Sequence, residues 1–382
     1  MPAFSVRPYE PSDWDGYAAV RSAVYRGGKV IEPGENLIPE DSLAFVVEAD
    51  GRIVGSAVAL DMTATCAGDD LRCAGIASVG VLPEARRYGA GQALMCGMTP
   101  LLREAGFDVA SLYAYSEAFY RKQGYEVAAG RLEIKAPTRL IPHYDGPLET
   151  REITADEWQR LVPCYDAMAS RYSGMNRRKE SQWRRSFRGK PAKIYVAGDP
   201  VEAYIVVALT EGFFMGQFVQ QFAWSTWEGY RAMLGLIRAL AINQDHAEWY
   251  EPTDTPFGHR LMQHGVNFAW TKQLMFRVLD VPASLGKLRA QGATEFTLSV
   301  ADPDAPENAG PWRVVADPSG TTVERTGNAD LAIGPGALAQ AVLGSLSASQ
   351  LADQGALAGP THAIQAAGRL FAARPTLCLD DF

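Results

Sequence analysis

A chain of 382 residues with 36 basic and 44 acidic side chains exceeds one ordinary domain, and its net charge of −8 argues against a nucleic-acid partner while suiting cationic substrates. No apolar run reaches the roughly 18 residues that a membrane span requires, and Met1 to Glu10 lacks a basic-then-apolar targeting pattern, so a cytoplasmic protein is expected. The five cysteines form no Cys-x-x-Cys pair and the five histidines show no ligand spacing, which argues against a disulfide framework and a metal site.

Phe4 to Arg7 reads as a strand, and Ser12 or Asp13 caps a helix to Tyr25 in which Trp14, Tyr17, Val20 and Val24 recur at helical spacing. After a polar connection from Gly27 to Pro39, the β-rich runs Ser42 to Val47 and Arg52 to Leu60 meet at Asp50-Gly51, a hairpin signal. An apolar strand from Ile76 then ends at Pro83. Arg86-Arg87, Gly89 and Gly91 follow, ahead of a helix with Leu94, Met98, Leu101, Leu102 and Ala105 on one face, which Pro100 should kink. Val109 to Tyr115 is a strand, Ser116 caps a short helix through Gln123 stopped by Gly124, and the strands Tyr125 to Val127 and Arg131 to Lys135 close the unit at Pro137. Strands and helices alternate, so residues 1–137 form an α/β domain.

Residues 138–281 repeat the order. Thr154 to Met168 is helical, and the basic run Arg177-Arg178-Lys179 with Arg184-Arg185 reads as a solvated helix face. Lys193 to Val196, Ala203 to Leu209 and Gln217 to Ala223 are strands, and Ser225-Thr226-Trp227-Glu228 is a capping box opening a helix to Leu240. The aromatic residues Phe213-Phe214, Phe222, Trp224, Trp227 and Trp249-Tyr250 line a substrate cavity or, as the commoner outcome, form the core of this unit. In residues 282–382 a helix over Ala283 to Gln291 precedes strands at Thr294 to Val300, Trp312 to Ala316 and Thr321 to Arg325. Short Ala/Leu helices, a helix over Thr361 to Ala373 and a terminal strand Thr376 to Leu379 complete the chain.

Chemistry concentrates between Val79 and Gln92. Gly89 and Gly91 let a backbone approach a ligand, the helix behind them offers unpaired N–H groups, and Arg86 and Arg87 add charge, a combination suited to a pyrophosphate. A nucleotide P-loop would need Lys-Ser or Lys-Thr where Gln92-Ala93 stand, and a dinucleotide fingerprint would place its glycines at the strand end, whereas Pro83 to Tyr88 intervene here. What remains is Arg-x-x-Gly-x-Gly after a Val-x-Val strand, which resembles motif A of the GCN5-related N-acetyltransferases (GNAT), whose loop holds acetyl-CoA.

With the segment Ser116 to Tyr125 and the ending Leu379-Asp380-Asp381-Phe382, the whole chain resembles the Eis (enhanced intracellular survival) acetyltransferases. The resemblance implies two fused GNAT-type domains, the second without a cofactor site, and a sterol-carrier-like domain. It implies that Val79, Gly80 and Val81 meet the pantetheine arm of acetyl-CoA and that Arg86, Arg87, Tyr88, Gly89, Ala90, Gly91 and Gln92 hold its pyrophosphate. Ser116 and Glu117 would lie near the cofactor, Tyr120 would be general acid to the leaving thiolate, and the α-carboxylate of Phe382 general base for the amine, with Asp381 touching the substrate. Direct transfer to an amine of a polycation (an aminoglycoside or a lysine side chain) and a homo-oligomer, a hexamer in that family, are implied as well. Glu32 and Glu35 are further acids that could meet a polycation. Ser116 stands four residues before Tyr120, one fewer than is common in the family. A lipid-binding protein with a vestigial transferase is the competing reading, and the intact loop with Tyr120 weighs against it.

Overall fold

The computed structural model describes residues 3–66, 69–187, 192–208 and 216–382, and of Lys272 the backbone alone. Phe213-Phe214 and the end of the strand expected to Leu209 therefore lie outside the described residues. The first strands form an antiparallel meander, β1 (Phe4–Pro8), β2 (Ser42–Ala49), β3 (Arg52–Cys66) and β4 (Asp69–Val81). Asp50 and Gly51 take φ of 51° and 75°, the left-handed pair that a tight hairpin turn requires. Helix α1 (Trp14–Tyr25) is entered at buried Asp13, whose carboxylate accepts two hydrogen bonds from Arg7 at 2.6 and 2.7 Å. α1 and α2 (Ala90–Glu104) cover opposite faces: Ala44 and Val46 share a core with Tyr17 of α1, and the alternate residues Phe45 and Val47 share one with Leu94 and Met98 of α2. Pro100 lies inside α2 without interrupting it.

After β5 (Val109–Tyr113) and α3 (Glu117–Arg121), β6 (Glu126–Pro137) is one strand where two were expected. Gly130 does not break it; a Cβ there would lie 2.6 Å from the Trp270 indole nitrogen, so the glycine admits a neighbouring strand's side chain. The second unit follows with β7 (Thr150–Ile153), α4 (Val162–Ala169) after a 3-10 turn from Ala155 to Leu161, α5 (Glu180–Ser186), β8 (Ala192–Ala197), β9 (Ala203–Ala208), β10 (Gln217–Trp224), α6 (Trp227–Leu240), β11 (His246–Glu251) and β12 (Asn267–Val278).

All twelve strands join one sheet in the order β1-β2-β3-β4-β5-β12-β6-β11-β10-β9-β8-β7. Strand β12, last of the second unit, lies between β5 and β6 and pairs antiparallel with both, and β6 in turn pairs with β11. Each half therefore completes its sheet with a strand from the other.

The last part holds α7 (Val281–Gly286), β13 (Thr294–Val300), β14 (Gly310–Asp317), β15 (Gly320–Arg325), β16 (Leu331–Ile333), α8 (Pro335–Leu343), α9 (Ala348–Asp353), β17 (Leu357–Ala358) and α10 (Thr361–Ala367). Its sheet runs β15-β14-β13-β16-β17, and α8 packs across β12 and β6. Arg277 of β12 pairs with Asp302 at 2.8 Å, both side chains almost fully buried, so the seam carries a matched ion pair within an apolar core common to the first and third parts. The expected helices to Gln291 and Ala373 stop at Gly286 and Ala367. Thr376 to Leu379 is not a strand: it is extended chain with one bridge, between Ser173 and Thr376.

Candidate active site

Strands β4 and β5 pair in parallel at three positions, Cys73 with Val109, Ala74 with Ala110 and Gly75 with Ser111, and then part. The parting coincides with a β-bulge in β4: Ala77 faces Val58 and Gly80 faces Ser56, so β4 spends one extra residue there, and Ser78 takes φ of 56°. The side of β4 beyond Gly75 that would face β5 is thereby open to a ligand. Val79 and Val81 border this wedge with one carbonyl each already used. Tyr25 donates its hydroxyl to the Val79 carbonyl at 2.7 Å, and Arg86 Nε donates to the Val81 carbonyl at 2.9 Å. Gly80 lies under α1, where a Cβ would come 3.2 Å from the Tyr25 ring.

Pro83–Tyr88 winds as a 3-10 turn and delivers the chain to Gly89, which caps α2 at φ of 92°. Only glycine takes that conformation without strain. The Gly89 carbonyl accepts the N–H of Ala93, so the N–H groups of Ala90, Gly91 and Gln92 form the open first turn of a fifteen-residue helix. Arg86, Arg87, Tyr88 and Gln92 are exposed around this turn, and Gly91 faces the Phe119 ring. Open N–H groups, a helix dipole and two guanidinium groups suit a diphosphate. Ser116 stands at the N-cap of α3, with Glu117 and Tyr120 on that helix. Tyr120 is 3% exposed among Tyr115, Phe119 and Tyr125, and burial pushes its hydroxyl's pKa well above the ordinary value, followed by the proximity of Tyr115 and Tyr25.

The tail closes the wedge. Leu377 and Leu379 enter the core of the second unit while Cys378 enters the opposite one. The Leu377 N–H donates to the Ser173 carbonyl at 3.0 Å, and Tyr113 donates its hydroxyl to the Asp380 carbonyl at 2.7 Å. Asp380 accepts from Arg178 Nε at 2.7 Å and from the Tyr165 hydroxyl at 2.8 Å, and Asp381 pairs with Arg131 at 3.0 Å. Phe382 packs on Tyr113 with ring centroids 5.3 Å apart, and a Cβ on Gly75 would lie 3.3 Å from two of its ring carbons. The last residue thus stands at the fork of β4 and β5. Phe382 and Asp381 line a cavity of 470 Å³ with Glu117, Tyr113 and Trp270, and also a larger cavity of 670 Å³ reaching into the second unit.

Arg178 corrects the reading of its basic run as a solvated face: its guanidinium is fully buried between the Tyr165 and Trp183 rings, 4.2 and 4.7 Å away. Arg131, its side chain 2% exposed, was likewise missed, because nothing local distinguishes either residue from a surface arginine. Among the aromatic residues singled out, Phe222, Trp224 and Trp249 belong to the core, and Tyr250 borders the larger cavity. Glu32 sits exposed on its loop and Glu35 faces Arg26 at 3.6 Å. In the second unit, β10 and β11 also pair only briefly in parallel before a bulge, but two residues, Ser225 and Thr226, join β10 to α6. Thr226 caps Gly229 and donates its hydroxyl to Glu202, so a carboxylate of the chain itself stands beside that helix start. Among the described residues no three His, Cys, Asp or Glu side chains gather as a metal site would require, and no helix is long and apolar enough to cross a membrane.

Comparison with known proteins agrees with this geometry. Residues 5–128 match the acetyltransferase (GNAT) domain family and residues 281–379 the sterol carrier protein domain family. An uncharacterised N-acetyltransferase of Streptomyces coelicolor is 27% identical over 90% of each chain, and N-acetyltransferase Eis of Mycobacterium tuberculosis is 28% identical over 35% of this chain and 36% of its own. The crystal structures of a GCN5-related N-acetyltransferase from Anabaena variabilis (TM-score 0.88, 19% identity) and of Eis1 from Mycobacterium abscessus (TM-score 0.82, 20% identity) each cover the full length of both chains. The chain thus carries an N-terminal acetyltransferase domain of the GNAT family and a C-terminal sterol carrier protein domain, and it is similar to the Eis N-acetyltransferases.

Proposed function

We propose that the enzyme carries acetyl from acetyl-CoA directly to an amine of a small acceptor within a ternary complex. The observation that supports this most is the position of Phe382, at the fork of β4 and β5 and on the wall of both cavities. A pantetheine arm along Val79, Gly80 and Val81 and an acceptor in the 670 Å³ cavity would meet there. The diphosphate would rest on the N–H groups of Ala90, Gly91 and Gln92, beside Gly89 and Tyr88, with Arg86 and Arg87 supplying charge, while Ser116 and Glu117 flank the arm.

The amine nitrogen attacks the thioester carbonyl carbon, and its proton passes to the α-carboxylate of Phe382 as the C–N bond forms. The C–S bond then breaks, the thiolate takes the Tyr120 hydroxyl proton, and N-acetylated product and CoA leave. Burial keeps Tyr120 protonated at neutral pH, the state a general acid needs. Both groups return to their starting state by exchange with solvent. The two-residue β10–α6 turn with Glu202 beside it supports a second unit without a cofactor site and a single acetyl-CoA per chain. The resemblance to Eis, taken by itself, implies a polycationic acceptor, an aminoglycoside or a lysine side chain. A homo-oligomer, a hexamer by the same resemblance, and a cytoplasmic setting complete the reading.

The test extends the chain after Phe382 by a short Gly-Ser peptide, which turns the carboxylate into an amide. CoA release should fall by about 10²-fold or more, the range of a lost general base, while an N-terminal tag leaves it alone. Deleting Phe382 should not rescue it, since the new carboxylate would stand roughly 3.3 Å back. An extended protein that folds, binds acetyl-CoA and turns over at full rate would overturn the assignment.

A further inference from the structure

The charges facing the 670 Å³ cavity are unevenly matched. Three acids line it, and each already has a cation: Glu152 with Lys193 at 2.8 Å, Asp380 with Arg178 at 2.7 Å and Asp381 with Arg131 at 3.0 Å. Arg185, on the last turn of α5, also lines the cavity, and it has no hydrogen bond or ion pair among the described residues. The adjacent Arg184 is paired with Glu180 at 2.8 Å, so the lack of a partner is particular to Arg185. The cavity wall mixes Phe187, Phe218, Tyr250 and Ile194 with uncharged polar side chains, among them Asn176, Gln182 and Gln220. A half-buried guanidinium beside such a wall gains most from a planar anion it can hold with two parallel N–H donors.

We infer that the preferred acceptor is an amine that also carries a carboxylate or a similar anion on an apolar body, and that Arg185 is the residue selecting it. The inference rests on the reading of this cavity as the acceptor's site. Under that reading the amine lies at Phe382 and the anion at Arg185; an amino acid and an ω-amino acid both carry the two groups, at separations that differ. A polycation would find every acid side chain that lines the cavity already engaged, and would place a like charge against Arg185.

The experiment measures CoA release with phenylalanine and 6-aminohexanoate, with the uncharged amide of each, and with an aminoglycoside, for the wild type, Arg185→Met and Arg185→Lys. The carboxylates should exceed their amides in kcat/KM by roughly 10- to 100-fold, the range for losing a hydrogen bond to a charged group. Arg185→Met should abolish that preference by raising the acceptor KM, Arg185→Lys should keep part of it, and the KM for acetyl-CoA should not move. Because Arg185 has no hydrogen bond or ion pair among the described residues, melting temperatures should also stay put. Equal rates for carboxylate and amide, an unchanged preference in Arg185→Met, or faster turnover of the aminoglycoside than of either carboxylate would overturn the inference. Thermal stabilisation of the wild type by the carboxylates is the second readout. If no amine is turned over yet the carboxylates stabilise the wild type and not Arg185→Met, the anion site stands and the transferase reading of the cavity falls. If they stabilise neither, the anion site falls as well.

Discussion

Replacing Arg178 by Met tests whether the tail must be held for catalysis. The guanidinium is fully buried, Asp380 is 10% exposed and their contact is 2.7 Å, so removing the cation leaves a carboxylate without its counter-charge, at a cost of about 3–5 kcal/mol. Against that stand the apolar anchors: Leu377 and Leu379, at 0% and 3% exposure, contribute about 1.5–3 kcal/mol each. The loss is therefore as large as the hydrophobic anchoring that remains, and a substantial fraction of molecules should release the tail. Carboxypeptidase should then remove Phe382 and Asp381 from Arg178→Met far faster than from the wild type. Turnover should fall at least about tenfold, one factor of ten per 1.4 kcal/mol, with the KM for acetyl-CoA unchanged because the α2 loop is untouched. Arg178→Met with Asp380→Leu removes both charges and should restore tail protection and melting temperature. A protected tail with full activity in Arg178→Met would refute the anchoring argument, and a digested tail with full activity would refute the catalytic role of the terminus.

Two more expectations concern the donor side. Tyr120→Phe keeps the ring packing and removes the acid, so kcat should drop about 10²-fold with melting behaviour preserved. Because burial raises the Tyr120 pKa above its ordinary value, the neutral form persists below about pH 10 and is lost only as pH rises through the raised value; an alkaline limb of kcat below pH 10 that disappears in Tyr120→Phe would contradict this. Arg87 is exposed at the α2 loop and has no partner among the described residues, so Arg87→Ala should raise the acetyl-CoA KM roughly tenfold, the worth of one charged contact, with little change in kcat. An unmoved KM would remove Arg87 from the diphosphate site. Arg86 makes the poorer probe, since its Nε also supports the Val81 carbonyl.

What could be read in the sequence was local. Asp50-Gly51 turns a hairpin by its own backbone preferences, and Gly89 with the amphipathic run behind it announces a helix start whatever surrounds it. Strand β12 gives no comparable signal, because its place depends on two partners over 130 residues away in the chain, such as Tyr113 opposite Leu274. Gly130, in the gap left between the two strands expected there, is explained only at that distance, because it admits an indole that arrives from β12. The expectation for Arg178 failed because a run of basic residues says nothing about a carboxylate 202 positions later. The terminal segment was legible as extended and apolar, but its alternation serves two cores and not a ladder, so only Thr376 makes a bridge.

The exchange of β6 and β12 sets a clock on biosynthesis. When a ribosome has released the first 140 or so residues, β5 has β4 on one side and a bare edge on the other, since its second neighbour, Asn267–Val278, has not been made. An unpaired apolar edge such as Val109–Tyr113 invites pairing with other chains, so the nascent half-protein is the species most exposed to aggregation. A fragment cut after residue 137 should accordingly be recovered as aggregate and not as a small working enzyme.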